Sequence, residues 1–143
     1  MEPPDFEDEA TLYSLSSEYF EAATIIYNTP PTKINCSAVI YYLLGHASEL
    51  LLKSFLHKKG VPIPALRNKF CHDLSKLAKE ARKYNLSSKV NLDNIVVLSS
   101  TYKYKKLEYR KKTAEQYPSI ECLLIDIQEL QNCVFENVAD FDT

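Results

Sequence analysis

Tyr41–Arg82, YYLLGHASELLLKSFLHKKGVPIPALRNKFCHDLSKLAKEAR, is the stretch whose reading decides the fold. Val39, Ile40, Leu43, Leu44, Ala47, Leu50, Leu51 and Phe55 lie around much of the circumference of a helix running roughly from 36 to 59. A helix apolar on most sides belongs at the centre of a bundle rather than on its surface. Gly60, Pro62 and Pro64 break it, and Asp73 then offers a carboxylate to cap the next helix, which carries Leu74, Leu77 and Ala81 inward. Asn85 marks the exit from that helix.

Working outward, Leu12, Leu15, Tyr19, Ala22 and Ile26 recur at steps of three and four, predicting a first helix that ends before Pro30. A fourth helix is expected from about Leu92. The β-branched run Ile95, Val96, Val97 would also suit a short strand, but an isolated strand has nothing to pair with. Pro118 suits the first turn of a last helix, in which Ile120, Leu123, Leu124, Ile127, Leu130, Val134 and Val138 form one stripe. The expected fold is all-α, an up-down bundle of four to five antiparallel helices forming one domain over 1–143, with 1–9 as a flexible acidic start.

With 143 residues, 45% of them hydrophobic and 25% charged, the chain can bury a core without metal or disulfides. It has no apolar run near membrane-spanning length. The start, MEPPDFEDE, lacks the basic and apolar regions of a secretory leader, so the expected location is the cytoplasm. Cys36, Cys71, Cys122 and Cys133 are widely spaced and read as buried thiols, not as a zinc set. Asn35-Cys-Ser37 and Asn85-Leu-Ser87 match the glycosylation pattern, which is without effect in that compartment.

Charge is partitioned along the chain. Between Lys53 and Lys112 stand sixteen Lys or Arg against Asp73, Glu80, Asp93 and Glu108, a balance of +12, whereas the flanks hold fifteen carboxylates against Lys33 alone. Such a basic field can hold a polyanion. It vanishes if the acidic first and last helices lie beside the basic ones. The densest tract runs from Lys103 to Lys112; Lys103, Lys105, Lys106 and Arg110 could supply phosphate contacts there and Tyr102, Tyr104 and Tyr109 could stack on bases, although a solvated helix end is the simpler reading.

Arg67, Asn68 and His72 form the one constellation suited to metal-independent RNA cleavage. The imidazole would take a 2′-hydroxyl proton while the guanidinium stabilises the phosphorane. Five steps along a continuous helix turn about 140°, which would separate the pair, and a helix-entry role for His72 is the simpler reading. His46 and Glu49 could share a metal only with a third ligand, so a hydrogen-bonded core pair is preferred and no metal or cofactor is expected. Glu49, amid leucines, must face water, pair with Lys53 or an arginine, or have a raised pKa. His57 reads as an exposed helix end.

Three elements in order, Ala47-Ser-Glu49-Leu-Leu-Leu-Lys53, His72-Asp73-Leu74-Ser-Lys-Leu77, and Tyr117-Pro118 before the last helix, resemble the HEPN family of small helical domains. The resemblance implies a four- or five-helix bundle that often dimerises. Some members are ribonucleases with an Arg-polar-x3-to-5-His motif opening a late helix. Others bind nucleotides or a partner, often a minimal nucleotidyltransferase, without that motif. Arg67, Asn68 and His72 match the motif in type but overlap the His-Asp-Leu element, and the last helix has no histidine.

The expected function is a non-catalytic binding module for a nucleotide, nucleic acid or a cognate protein such as an antitoxin or nucleotidyltransferase, with Glu49, Lys53 and the Lys103–Arg110 tract as ligand-binding residues. A toxin-type ribonuclease using Arg67 and His72 is the alternative, and a structural interaction protein the third. A homodimer is expected, because the apolar area of the second and last helices exceeds what a small bundle covers.

Overall fold

A computed structural model describes residues 8–29, 37–103 and 117–138, and every regular element among them is helical. The order is α1 (Glu9–Asn28), α2 (Ser37–Lys58), a single turn α3 (Ile63–Ala65) running into a π-helical turn (Leu66–Phe70), α4 (Leu74–Lys83), α5 (Asp93–Lys103) and α6 (Ile120–Val138). No described helix is long and apolar enough to cross a membrane.

α2 is the central helix. Its stretch Ala47–Leu52 is buried at every position, and α1, α4, α5 and α6 all pack on it. That stretch is therefore covered within the chain. Exposed apolar side chains include Val39 near the start of α2 and, on other helices, Ile25, Val97, Ile125 and Phe135.

Both breaks after a central or basic helix use the same cap. At the end of α2, Gly60 (φ 108) donates its amide to His57 and Val61 donates to Leu56; at the end of α4, Asn85 (φ 70) donates to Arg82 and Leu86 to Ala81. These are Schellman caps, each sealed by the apolar residue that follows the left-handed one. α4 begins at Asp73, whose carboxylate accepts from the Lys76 amide at 3.1 Å, as the sequence predicts. The Arg82 guanidinium then clamps the next loop by donating to the carbonyls of Leu86, Ser87 and Val90.

α5 is a helix, not a strand. Ile95 and Leu98 are fully buried while Val96 and Val97 are exposed, a burial period of three that only a helix gives. α6 buries Leu123, Ile127, Leu130 and Val134 along the predicted stripe. Its cap is Ser119, which leaves the buried Pro118 just outside the helix instead of in its first turn. Tyr41 fixes that entry by donating to the Pro118 carbonyl at 2.7 Å and stacking on Tyr117.

α1 departs from its predicted stripe by one residue. Leu15 is 39% exposed, and the position facing the core is Ser16, whose hydroxyl donates to the Ala47 carbonyl at 2.9 Å. A small hydroxyl there lets α1 approach α2 closely. At the other end Ser54 donates to the Glu9 carbonyl, and His57 meets the Glu9 carboxylate at 2.7 Å, so His57 is a partly buried tie between α2 and α1 and not an exposed end. The cysteine expectation also fails: Cys71 and Cys122 are exposed and Cys133 is partly so, all as free thiols. Cys36 lies outside the described residues.

Charge follows the layering. α1 packs on α6, α4 on α5 and α6 also on α5, while α2 touches all four, so the acidic last helix does lie beside one of the two helices of the basic half. α1 and α6 contain acids and no Lys or Arg, whereas α4 carries Lys76, Lys79, Arg82 and Lys83 against Glu80 alone. α4 itself buries Leu74, Leu77, Ala78 and Ala81 and leaves Lys76, Lys79, Arg82 and Lys83 exposed to solvent.

Candidate functional site

Glu49 is the one carboxylate on the central helix, and the sequence around it is arranged in helical steps. Gly45, Glu49 and Lys53 fall at intervals of four on one edge of α2, with His46 three before Glu49. Lys53 reaches along that edge and places its ammonium 2.7 Å from Oε2. Gly45 makes room for a neighbour: a Cβ there would lie 2.5 Å from the Tyr102 ring. Tyr102, arriving on α5, fills that space, and its hydroxyl donates to Glu49 Oε1 at 2.6 Å.

His72 is delivered by the break between α2 and α4. After the π-helical turn, Cys71 takes φ 50 and ψ −120, a conformation that L side chains rarely adopt, and His72 follows directly before the Asp73 cap. Its Nδ1 lies 3.0 and 3.1 Å from the two Glu49 oxygens, although its side chain is 55% exposed. One imidazole edge is tied to a buried anion while much of the ring is open to solvent.

Proton accounting assigns the tautomers. Glu49 is only 2% exposed, and burial pushes its carboxyl up, but the Lys53 charge and the hydrogen bonds from Lys53, Tyr102 and His72 outweigh burial and hold it below the usual range. A carboxylate only accepts, so His72 Nδ1 carries a proton. Burial and the Glu49 charge push the Tyr102 phenol far up, keeping it protonated. Its proton goes to Glu49, so at the 2.7 Å contact between His46 Nδ1 and Tyr102 the histidine is the donor. Burial holds His46 below the usual imidazole range, and Nε2 is left as its lone-pair nitrogen. Tyr19 packs edge-on against the His46 ring at 4.4 Å and Tyr42 lies parallel to it.

Above this network lies a cavity of about 180 Å³ lined by Tyr42, His46, His72 and Tyr102. Two imidazoles and two phenols give it flat walls and polar edges. It suits a planar ring better than an aliphatic group. Among the described residues no group of three or more His, Cys, Asp or Glu is disposed to hold a metal ion.

The structure brings Glu49, Lys53 and His72 together, two of them expected as ligand residues and one as a catalytic one. Arg67 and Asn68 are exposed on the π-helical turn that leads to His72. Lys103 closes α5, and Lys105, Lys106, Tyr109 and Arg110 lie outside the described residues. Tyr102, expected as a stacking platform, is buried at 4% exposure and serves Glu49 instead. Sequence reasoning placed His46 beside Glu49 yet missed Gly45 and Tyr42; a lone glycine four residues before a buried glutamate is the signal that was available. No protein-family model, curated protein or solved structure matches this chain.

Proposed function

We propose that the chain is a HEPN-like binding module, without catalytic activity, whose basic side receives a nucleotide or nucleic acid. The observation that carries the reading is the spatial separation of charge, with α4 and the Arg67–Lys69 turn on the basic side and the His72 cavity beside that turn. Phosphates would meet Arg67, Lys69 and the exposed lysines of α4, and the ring-lined cavity would take a base. The Lys103–Arg110 tract extends the same charge along the chain.

Anisotropy of a fluorescein-labelled single-stranded RNA, titrated with salt in EDTA, tests this. Binding should weaken steeply with salt, and each phosphate contact removed by Arg67→Ala, Lys69→Ala or Lys79→Ala should reduce the logarithmic slope by about 0.7. Intact RNA is expected throughout. Absent or salt-insensitive binding defeats the reading and leaves a cognate protein as the ligand.

The second reading is metal-independent RNA cleavage by Arg67 and His72, and one observation favours it. A buried carboxylate that fixes the Nδ1 proton of a half-exposed imidazole leaves Nε2 oriented as a general base. EDTA-resistant cleavage that disappears in His72→Ala and in Arg67→Ala, with binding retained, would place this reading first.

A further inference from the structure

The seam between α1 and α6 leaves an apolar groove of about 450 Å³, lined by Phe20, Thr24, Leu124, Ile125, Gln128 and Glu129. The two helices run antiparallel, since Tyr13 meets Phe135, Ser17 meets Gln131 and Tyr27 meets Glu121. The groove lies between these fastenings. Ile125, in the wall of the groove, is 60% exposed on a helix that already has a core face. A largely exposed isoleucine in the wall of an open apolar groove is more than a scattered surface residue.

The charge around it is of one sign. Glu18, Glu21, Glu129 and Glu136 are exposed, and neither helix contains a Lys or Arg. A symmetric contact of this face with a second copy would set Glu21 and Glu129 against like charges. An anionic lipid surface is repelled for the same reason. We infer that this groove docks a basic amphipathic helix of a partner protein, apolar side inward, with Lys or Arg on its flanks meeting Glu21 and Glu129. This is the helix-in-groove mode, in which apolar side chains at i, i+3, i+4 and i+7 anchor and the rim charges select. The site is separate from the basic side, so it stands or falls independently of polyanion binding.

The probe is a fluorescein-labelled, helix-favouring peptide of about fifteen residues with Leu at the four anchor positions and Lys on both flanks. Its controls are a scrambled peptide of the same composition and one with Glu in place of Lys. With the full chain, the basic amphipathic peptide should bind in preference to both. Its binding should shift the methyl NMR signals of Leu124 and Ile125, which line the groove, but not of the buried Ile40, Ile95 and Ile127. Glu21→Lys combined with Glu129→Lys changes only exposed side chains, leaves the circular dichroism unchanged and should weaken binding about tenfold. Equal binding of the scrambled or acidic peptide, shifts confined to other residues, or no binding overturns the inference. So does sedimentation showing a dimer that the same charge reversals dissociate, which would make a second copy the occupant.

Discussion

Gly45 carries more of the site than its lack of chemistry suggests. The Tyr102 ring occupies the space its side chain would take, and from there the phenol reaches both Glu49 and His46. Gly45→Ala must push the ring away, because a Cβ 2.5 Å from a ring carbon cannot be accommodated in place. We expect a loss of about 1–3 kcal/mol of stability from overpacking, larger than the gain in helix propensity. Chemical denaturation measures it; a variant as stable as the parent would show that Tyr102 does not depend on that space. Glu49→Ala should cost more, about 3–5 kcal/mol, because Lys53 would remain partly buried with no counter-charge and Tyr102 and His72 would lose their acceptor. Its unfolding midpoint against that of Glu49→Gln separates loss of charge from loss of the hydrogen-bond acceptor.

At the scale of the element, the connection from α2 to α4 is where conformation is spent on position. A Schellman cap at Gly60, a prolyl turn and a π-helical turn bring the chain to Cys71, whose φ of 50 with ψ of −120 is costly for a residue with a Cβ. Cys71 is exposed, and its thiol makes only a long contact to the Asn68 carbonyl, at 3.5 Å. Cys71→Gly should therefore relieve more strain in the fold than it adds in unfolded-chain entropy, stabilising the protein by about 1 kcal/mol. Thermal unfolding decides this, and a lower midpoint would mean that the backbone at Cys71 is unstrained. RNA binding should be unchanged, since His72 keeps its bond to Glu49.

For the whole molecule, the buried network makes stability dependent on pH with a definite sign. Glu49 is held below its ordinary value of 4.5 in the fold, so its contribution is complete above that value and is lost as pH falls through the folded pKa. His46 is held below its ordinary value of 6.5; the unfolded chain takes up that proton first, so stability is again lost as pH falls from 6.5 downward. Both groups act in the same direction. Denaturation midpoints measured from pH 7 to pH 4 should fall continuously, and His46→Phe should flatten the upper part of that decline. A midpoint independent of pH over that range would contradict the network.

Periodicity and capping in the sequence determined most of the elements. The central α2, the Asp73 start of α4 and the buried stripe of α6 all follow from side chains that must face a core and from backbone amides that need a local partner, and both are local rules. α1 shows where local rules stop. Leu15 and Ser16 are adjacent, and only the close approach of α2 makes the serine the inward residue, through its bond to Ala47. The site divides in the same way. Glu49 next to Lys53 is legible because four residues make one helical turn, so the pair could be written down from spacing alone. That Tyr102 lies on Gly45, that His72 turns back to Glu49, and that the acidic α1 and α6 pack on each other join residues far apart in sequence. Those pairings depend on how the helices cross and on a left-handed bend at Cys71, which no periodicity encodes, so only the tertiary structure decided them.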